Sequence, residues 1–198
     1  MAEATSRDEC IERHRTYSID VSRRLNPLQR GRLKRMVEPV MPGDTVLDVG
    51  CNSGYIVDFL PPNCTAYGVD VSTELVKKAK RRLKDARVAA AERLPHADKA
   101  VDVVLLGEII EHVHDADLVL REAARVARRI VAGSTPHEAG HWGPGGKRAP
   151  ERHRFHVRCY TEATLRETLE GAGLRGIKID TVVQEGVPQM YIFWGSPA

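Results

Sequence analysis

Two short segments of the chain place acids and glycines where a polar ligand could bind. An apolar run, Val46–Val49, contains Asp48 and leads into a turn with Gly50 and Gly54, and a second apolar run ends in Asp70. In an open parallel sheet the carboxyl ends of adjacent strands lie side by side, and nucleotide-like ligands bind there. Glycines let the backbone approach such a ligand closely. The Asp70 carboxylate can accept hydrogen bonds from both hydroxyls of a ribose, so the two segments predict a nucleoside site.

The glycine spacing of this turn argues against a dinucleotide site. That site needs glycines at the first, third and sixth positions, so that a pyrophosphate can lie on the helix N-terminus. Here the third position is Asn52 and the sixth is Tyr55. Asparagine tolerates a left-handed backbone, so Asn52 is compatible with the turn. A nicotinamide dehydrogenase is therefore the least favoured enzyme class.

A second group of ionisable residues follows the apolar run Val101–Leu106 and includes Glu108. Histidine is the natural general base near neutrality, because its unperturbed pKa is about 6.5. A base is useful when the reacting group is a hydroxyl. A carboxylate or phosphonate that reacts as the nucleophile is already ionised and needs only positioning. The candidate catalytic residues are Glu111, His112, His153 and His156.

The basic stretch from Arg148 to Arg158 is the clearest substrate signal. Alternating residues of an extended segment share a face, which pairs Arg152 with Arg154 and His156 with Arg158. Guanidinium groups bind carboxylates and phosphates in a bidentate manner. The candidate substrate-binding residues are Arg152, Arg154, Arg158 and Tyr160. They predict a cap that recognises a polar or anionic substrate; the alternative is a solvated basic loop.

Alternating strands and helices must position these residues. Apolar runs predict strands at 45–49, 65–69, 88–90, 101–106 and 130–132, with helices at 55–60, 72–84, 116–127 and 161–170 between or after them. The tail, 177–183 and 189–194, predicts an antiparallel hairpin on the sheet edge. This order predicts an α/β fold with a doubly wound, mostly parallel sheet of seven strands.

Two units are expected along the chain. Residues 1–40 are rich in arginine and predict helices that break near Asn26-Pro27. They form either a lid over the ligand, with Tyr17 pointing inward, or a solvated helical face. Residues 41–198 form the main domain. Its segment 133–160 is rich in Gly, Pro, His and Arg and predicts a substrate-cap loop.

Composition limits the class of protein. The chain has 198 residues, 42% of them hydrophobic, which suits one well-packed domain. Its formal charge of +3 does not by itself indicate nucleic acid. No apolar stretch reaches the length of a transmembrane helix, the polar N-terminus does not resemble a signal peptide, and the four cysteines form no CxxC pair. We therefore expect a cytoplasmic protein with reduced thiols and no membrane partner. The oligomeric state is not indicated.

The pattern Asp48-x-Gly50-x-Asn52-x-Gly54, with Asp70 downstream, resembles the first motif of the class I S-adenosylmethionine (SAM) methyltransferases. The resemblance covers most of residues 40–195 and implies a Rossmann-like sheet that binds SAM at the first turn. Residues 91–95 resemble the adenine segment, although the family often has Asp where this chain has Ala90. The SAM-binding residues that the resemblance implies are Tyr17, Asp48, Gly50, Cys51, Asn52, Gly54, Asp70, Val71, Ala91, Glu92 and Glu108.

The implied function is methyl transfer from SAM to a small polar or anionic acceptor, most directly onto the oxygen of a hydroxyl, carboxylate or phosphonate. A second resemblance, to methyltransferases of the 3′-terminal ribose of small RNAs, is carried by a Glu-x-x-Glu-His loop and a later histidine. That alternative implies a divalent metal ion on Glu108, Glu111, His112 and His156. A metal is not the favoured expectation, and neither is nucleic acid as a partner, because no strong basic excess is present. A third alternative is a non-catalytic SAM-binding domain.

Overall fold

The computed structural model describes residues 6–16, 20, 25–137 and 156–198. The helices are α1 (Arg7–Thr16), α2 (Pro27–Met36), α3 (Thr73–Ala79), α4 (Ala116–Val126) and α5 (Glu162–Gly171), with a 3₁₀ helix at Tyr55–Asp58. The strands are β1 (Thr45–Val49), β2 (Thr65–Asp70), β3 (Asp85–Val88), β4 (Val101–Gly107), β5 (Ala127–Pro136), β6 (Leu174–Gln184) and β7 (Val187–Pro197).

The strands form one seven-stranded sheet in the order β3-β2-β1-β4-β5-β7-β6. Strands β1 to β5 pair in parallel, and β7 lies antiparallel between β5 and β6. The order reverses beside β1, so the carboxyl ends of β1 and β4 flank the crevice where doubly wound sheets bind ligands. The predicted α/β fold with an antiparallel C-terminal hairpin is confirmed.

Both faces of the sheet are covered, which explains the continuous apolar runs of β1 and β4. Successive side chains of a strand point to opposite faces. Leu47 of β1 therefore packs in the core layer beneath α4 and α5, whereas Val46 packs in the layer beneath α2 and α3. Helix α4 contributes Val119 and Leu120 to the first layer, and α2 contributes Leu33 to the second. Packing in these two layers holds α4 against one face of the sheet and α2 against the other.

Side-chain caps set where the helices begin. Asn26 caps α2, its side chain accepting the N–H of Gln29 while Gln29 reaches back to the Asn26 N–H, and Pro27 occupies the first helical position. Ser72 caps α3 and accepts the N–H of Leu75, and Thr161 caps α5 in the same way.

Several element boundaries differ from the sequence prediction. Helix α3 ends at Ala79 instead of residue 84, because the chain turns so that the Lys84 N–H can donate to the Ala66 carbonyl and start β3. Strand β3 lies at Asp85–Val88 instead of 88–90, and the helix expected at 55–60 is one 3₁₀ turn. Strand β5 extends to Pro136 because its second half pairs with β7, so the first part of the expected loop 133–160 is strand. In the described part of the chain, no helix has the length and apolar character needed to span a bilayer.

Candidate active site

The turn after β1 brings the backbone close to the ligand cavity. Gly50 and Asn52 have φ angles of +72° and +49°, and the N–H groups of Gly50 and Cys51 both donate to the Val69 carbonyl. A Cβ on Gly50 would overlap with the side chain of Ile109. The positive φ therefore favours glycine, and any larger residue would also require the Ile109 side chain to move. The Cys51 side chain is buried in the core, so this residue contributes to the turn only through its backbone.

The Asp70 carboxylate stands at the end of β2, directly beside this turn. Its Oδ2 accepts the N–H of Asn52 at 2.9 Å, and its Oδ1 accepts the N–H of Ser72 at 2.9 Å. Burial raises the pKa of Asp70, and the backbone hydrogen bonds oppose that rise. Each carboxylate oxygen can accept more than one hydrogen bond, so both remain available to a diol.

A cavity of about 380 Å³ lies at the carboxyl ends of β1, β2 and β4. Eight of the predicted site residues line it: Gly50, Asn52, Asp70, Val71, Ala91, Glu92, Glu108 and His112. Helix α1 adds Ile11 and His14, two residues that the sequence did not single out. The volume and these lining residues suit a nucleoside with an attached side chain.

Other predicted residues lie away from the cavity wall or outside the described residues. Gly54, with a φ of +76°, starts the 3₁₀ helix and faces Leu83 and Ala79, where its lack of a Cβ allows close packing. Tyr17, Arg152, His153 and Arg154 lie outside the described residues. Their predicted roles stay predictions.

Asp48 lies beneath the turn and is almost fully buried. Burial raises the pKa of Asp48 to about 7, the neighbouring charge of Asp70 adds to the rise, and Arg32 opposes it. The carboxyl is therefore close to half-protonated near neutral pH.

A buried arginine from α2 holds the residue after β4. Nη1 of Arg32 donates to Oγ of Ser134 at 2.8 Å, and this hydroxyl donates to Oε1 of Glu108 at 2.9 Å. Arg32 Nη1 also lies 3.7 Å from the same carboxylate oxygen. Glu108 has a φ of +58°, so these contacts hold an unfavourable backbone conformation at the cavity wall. No signal in the sequence marks Arg32, because its partner Ser134 is 102 positions away.

A carboxylate and imidazoles gather in the loop after β4. Glu111 is buried, its Oε2 accepts the hydroxyl of Thr135 at 3.2 Å, and its Oε1 lies 3.8 Å from Nε2 of His112. Burial raises the pKa of Glu111 well above its ordinary range, and the charge of Glu108 adds to the rise. The His112 ring makes edge contacts with the rings of His156, at 4.5 Å between centroids, and His14, at 4.8 Å. The loop thus presents an imidazole backed by a buried acid.

The segment that begins at residue 156 holds the loop after β4 in place through hydrogen bonds to its backbone carbonyls. Arg158 donates to the carbonyls of His114 at 2.6 Å and Ile110 at 3.4 Å, and the Val157 N–H donates to the Glu111 carbonyl at 2.9 Å. Tyr160 is buried, which raises its pKa to about 12. Neither Arg158 nor Tyr160 lines the cavity that the described residues form. These contacts tie Arg158 to the loop after β4, and its predicted contact with substrate stays a prediction.

Comparison with known proteins identifies a methyltransferase domain in this chain. A family model described as a methyltransferase domain matches residues 47–130. A probable S-adenosylmethionine-dependent methyltransferase of Mycolicibacterium smegmatis is 33% identical over 136 residues, 66% of this chain and 52% of that protein. The 27-O-demethylrifamycin SV methyltransferase of Amycolatopsis mediterranei is 34% identical over 100 residues, 46% of this chain and 37% of that protein.

Solved structures share the fold. The crystal structure of a SAM-dependent methyltransferase from Archaeoglobus fulgidus superposes with a TM-score of 0.69 at 17% identity, covering 85% of this chain and 92% of that one. Residues 47–130 therefore carry a methyltransferase domain, and the fold is that of the class I SAM-dependent methyltransferases. The chain spans 52% and 37% of the lengths of the two curated relatives named above.

Proposed function

We propose that this chain transfers the methyl group of SAM to a small polar or anionic acceptor, with oxygen as the atom methylated. One observation carries the proposal: the Asp70 carboxylate is anchored by two backbone N–H groups at the edge of a 380 Å³ cavity, beside a turn that leaves no room for a Cβ on Gly50. That combination suits the ribose of a nucleoside and the close approach of its side chain. The methyltransferase domain supplies the chemistry.

The residues present fit SAM along the length of the cavity. Asp70 would bind the ribose hydroxyls, and Ala91 and Glu92 would flank the adenine. Gly50 and Glu108 would face the methionine end, where the Glu108 carboxylate suits an α-ammonium group and a sulfonium. The cavity wall thus offers a carboxylate wherever SAM carries a diol or a positive charge.

SAM supplies an electrophilic methyl carbon: the acceptor oxygen bonds to it as the carbon–sulfur bond breaks, the electron pair stays on sulfur, and the acceptor proton goes to a base. Positioning and exclusion of water dominate such a displacement. His112 lines the cavity and is the base in this proposal. The buried carboxyl of Glu111, with Oε1 3.8 Å from Nε2 of His112, would lie beside the imidazolium that forms. A carboxylate acceptor would need no base.

We also propose that the two predicted units have separate roles, with residues 1–40 as a lid and residues 41–198 as the main domain. Helix α1 contributes Ile11 and His14 to the cavity wall, which supports a lid role for the N-terminal segment. The methyltransferase domain begins near residue 41, just before β1. The segment between β5 and α5 would cap the acceptor.

A second candidate is a metal-dependent reaction, such as 2′-O-methylation of an RNA 3′-terminal ribose. One ligand atom from each of Glu111, His112 and His156 lies within 4.8 Å of the others, a donor set that divalent transition metals accept. Glu108, the fourth predicted ligand, is instead held by Ser134 and Arg32. Activity that survives a chelator would exclude this candidate. Activity lost with the chelator and restored by one added divalent metal would favour it.

The experiment for the main proposal has two stages. Calorimetry with SAM and, separately, with NAD identifies the nucleoside that binds, and transfer of tritium from methyl-labelled SAM to hydroxy, carboxy and phosphonate compounds tests catalysis. We expect SAM binding, no NAD binding, and transfer to an oxygen acceptor. Loss of transfer in His112→Gln with SAM binding retained would support the base role. SAM binding without transfer to any acceptor would favour the binding-only domain, and no SAM binding would overturn the proposal.

A further inference from the structure

The cavity has a second region that the nucleoside proposal leaves unexplained. Its wall is built from Ile11 and His14 of α1 and from Ile109, His112 and Val113 of the loop after β4. The other lining residues come from the strand ends and turns, together with Tyr55 of the 3₁₀ helix and Leu75 of α3. The edge contact between the His14 and His112 rings, 4.8 Å between centroids, joins α1 to the loop. We call these five residues the α1–loop pocket.

The α1–loop pocket combines an apolar surface with imidazoles. Ile11, Ile109 and Val113 supply aliphatic surface, and the two histidines supply the polar groups. A pocket of this composition binds the apolar body of a small molecule and orients one polar group on it. His112 marks where that polar group would lie, because its ring is backed by the buried Glu111.

The charges around the cavity are negative. Asp70, Glu92 and Glu108 line it, and no lysine or arginine does so among the residues that the structure describes. Arg32, the nearest buried cation, is turned to Ser134 and Glu108, and Arg158 is turned to backbone carbonyls. These carboxylates are the ones proposed to bind SAM, and within the described residues the α1–loop pocket adds no lysine or arginine that could pair with an anionic acceptor.

From the pocket and its charges we infer that the acceptor is a neutral alcohol or phenol with an apolar body, bound in the α1–loop pocket with its hydroxyl at His112. The inference rests on the proposed function and narrows its acceptor class by removing carboxylates and phosphonates. It assigns Ile11 and His14 to acceptor binding and leaves SAM binding to the strand ends. The inference also gives the N-terminal lid a role in acceptor recognition, because α1 then contacts the acceptor directly.

The test uses matched acceptor pairs with the full chain. Catechol and 3,4-dihydroxybenzoate differ by one carboxylate, as do phenol and 4-hydroxybenzoate and cyclohexanol and 4-hydroxycyclohexanecarboxylate. Tritium transfer from labelled SAM gives kcat/KM for each compound. We expect kcat/KM to favour the neutral member by about tenfold or more, because a carboxylate buried without a cation partner is costly.

Variants on α1 separate acceptor binding from SAM binding. Ile11→Ala and His14→Ala should each raise the acceptor KM by about fivefold to tenfold, the effect of lost apolar contact in a small pocket. The calorimetric Kd for SAM should stay within about twofold in both variants, and His14→Phe, which keeps a ring against His112, should recover part of the loss. Glu12→Ala is the matched control, because Glu12 lies on the same helix with a 59% exposed side chain.

The outcomes distinguish the two proposals. Preference for the carboxylated members, or transfer to neither member of any pair while SAM still binds, overturns the inference and leaves the SAM site standing. Preference for carboxylated acceptors that is lost in Arg152→Ala or Arg154→Ala would instead assign the acceptor to the basic stretch. Unchanged acceptor KM in Ile11→Ala and His14→Ala also overturns it. Absence of SAM binding would overturn the proposed function itself.

Discussion

The backbone N–H of Asn52 donates to Oδ2 of Asp70 at 2.9 Å, which ties the turn after β1 to the end of β2. The bond places the left-handed Asn52, with a φ of +49°, and the ribose-binding carboxylate in one unit. It involves only the backbone of Asn52. The site therefore depends on the conformation of residue 52 more than on its side chain.

Asn52→Gly is expected to keep SAM affinity within about threefold, because glycine adopts positive φ freely and retains the N–H donor. Asn52→Val is expected to weaken SAM binding by about tenfold or more, because a β-branched residue is strained in this region. Calorimetry on the two variants measures the difference. Equal affinities would show that the turn does not need a left-handed residue at position 52.

Gly50→Ala is expected to lower the free energy of unfolding by about 1–3 kcal/mol and to weaken SAM binding, because the new Cβ meets both positive φ and Ile109. Gly43→Ala is the matched control: Gly43 has a φ of +86° with nothing within 4 Å of the added Cβ. Urea unfolding should show a smaller loss in the control, with SAM affinity unchanged. A control as damaging as Gly50→Ala would remove the argument from close approach.

Arg32→Met should destabilise the fold by about 3–5 kcal/mol, because it leaves Glu108 without the cation that faces it in a largely buried setting. The variant should also weaken SAM binding, since Glu108 would no longer be held at the cavity wall. Arg35→Met, on the same helix, removes a half-exposed pair with Asp180 and should cost only about 0–1 kcal/mol. Denaturant midpoints compare the two. Similar losses of stability in Arg32→Met and Arg35→Met would mean that Arg32 stabilises α2 without positioning Glu108.

Stability should fall as the pH rises toward neutrality. The folded-state pKa of Asp48 is about 7, above its ordinary value of 3.8, so the folded protein keeps a proton that the unfolded chain releases. The free energy of unfolding therefore decreases between about pH 4 and pH 7, by at most about 4 kcal/mol from this group.

Asp48→Asn should reduce this pH dependence, measured by urea unfolding of both proteins at pH 5 and pH 8. Glu111, whose pKa burial also raises, is present in both proteins, so its contribution cancels in the difference. The same slope in wild type and variant would contradict a raised pKa for Asp48.

The parts of the fold and site that the sequence predicts are those set by local pattern. Gly50, Asn52 and Asp70 line one cavity, as their spacing predicts, and the mostly parallel sheet follows from the alternation of strands and helices. The length of β5 escaped prediction because its last residues are ordered by β7, which comes some sixty residues later in the chain.

Long-range contacts account for the rest. Arg32 and Ser134 are 102 positions apart, and His14 meets His112 only when α1 lies over the loop. No local period reveals such pairs. The alternation in the basic stretch suggested a substrate contact for Arg158, but alternation cannot show that backbone carbonyls of another loop lie within reach of a guanidinium.

Calorimetric titration of SAM into the wild-type chain and into Asp70→Ala tests the central claim most directly. The account predicts one SAM bound per chain in the wild type and an affinity lower by about 100-fold in the variant, because the ribose loses charge-assisted hydrogen bonds and the turn loses its tie to β2. Asp58→Ala, at an exposed acid of the 3₁₀ helix, should bind SAM like the wild type. SAM binding that Asp70→Ala leaves unchanged would contradict the account.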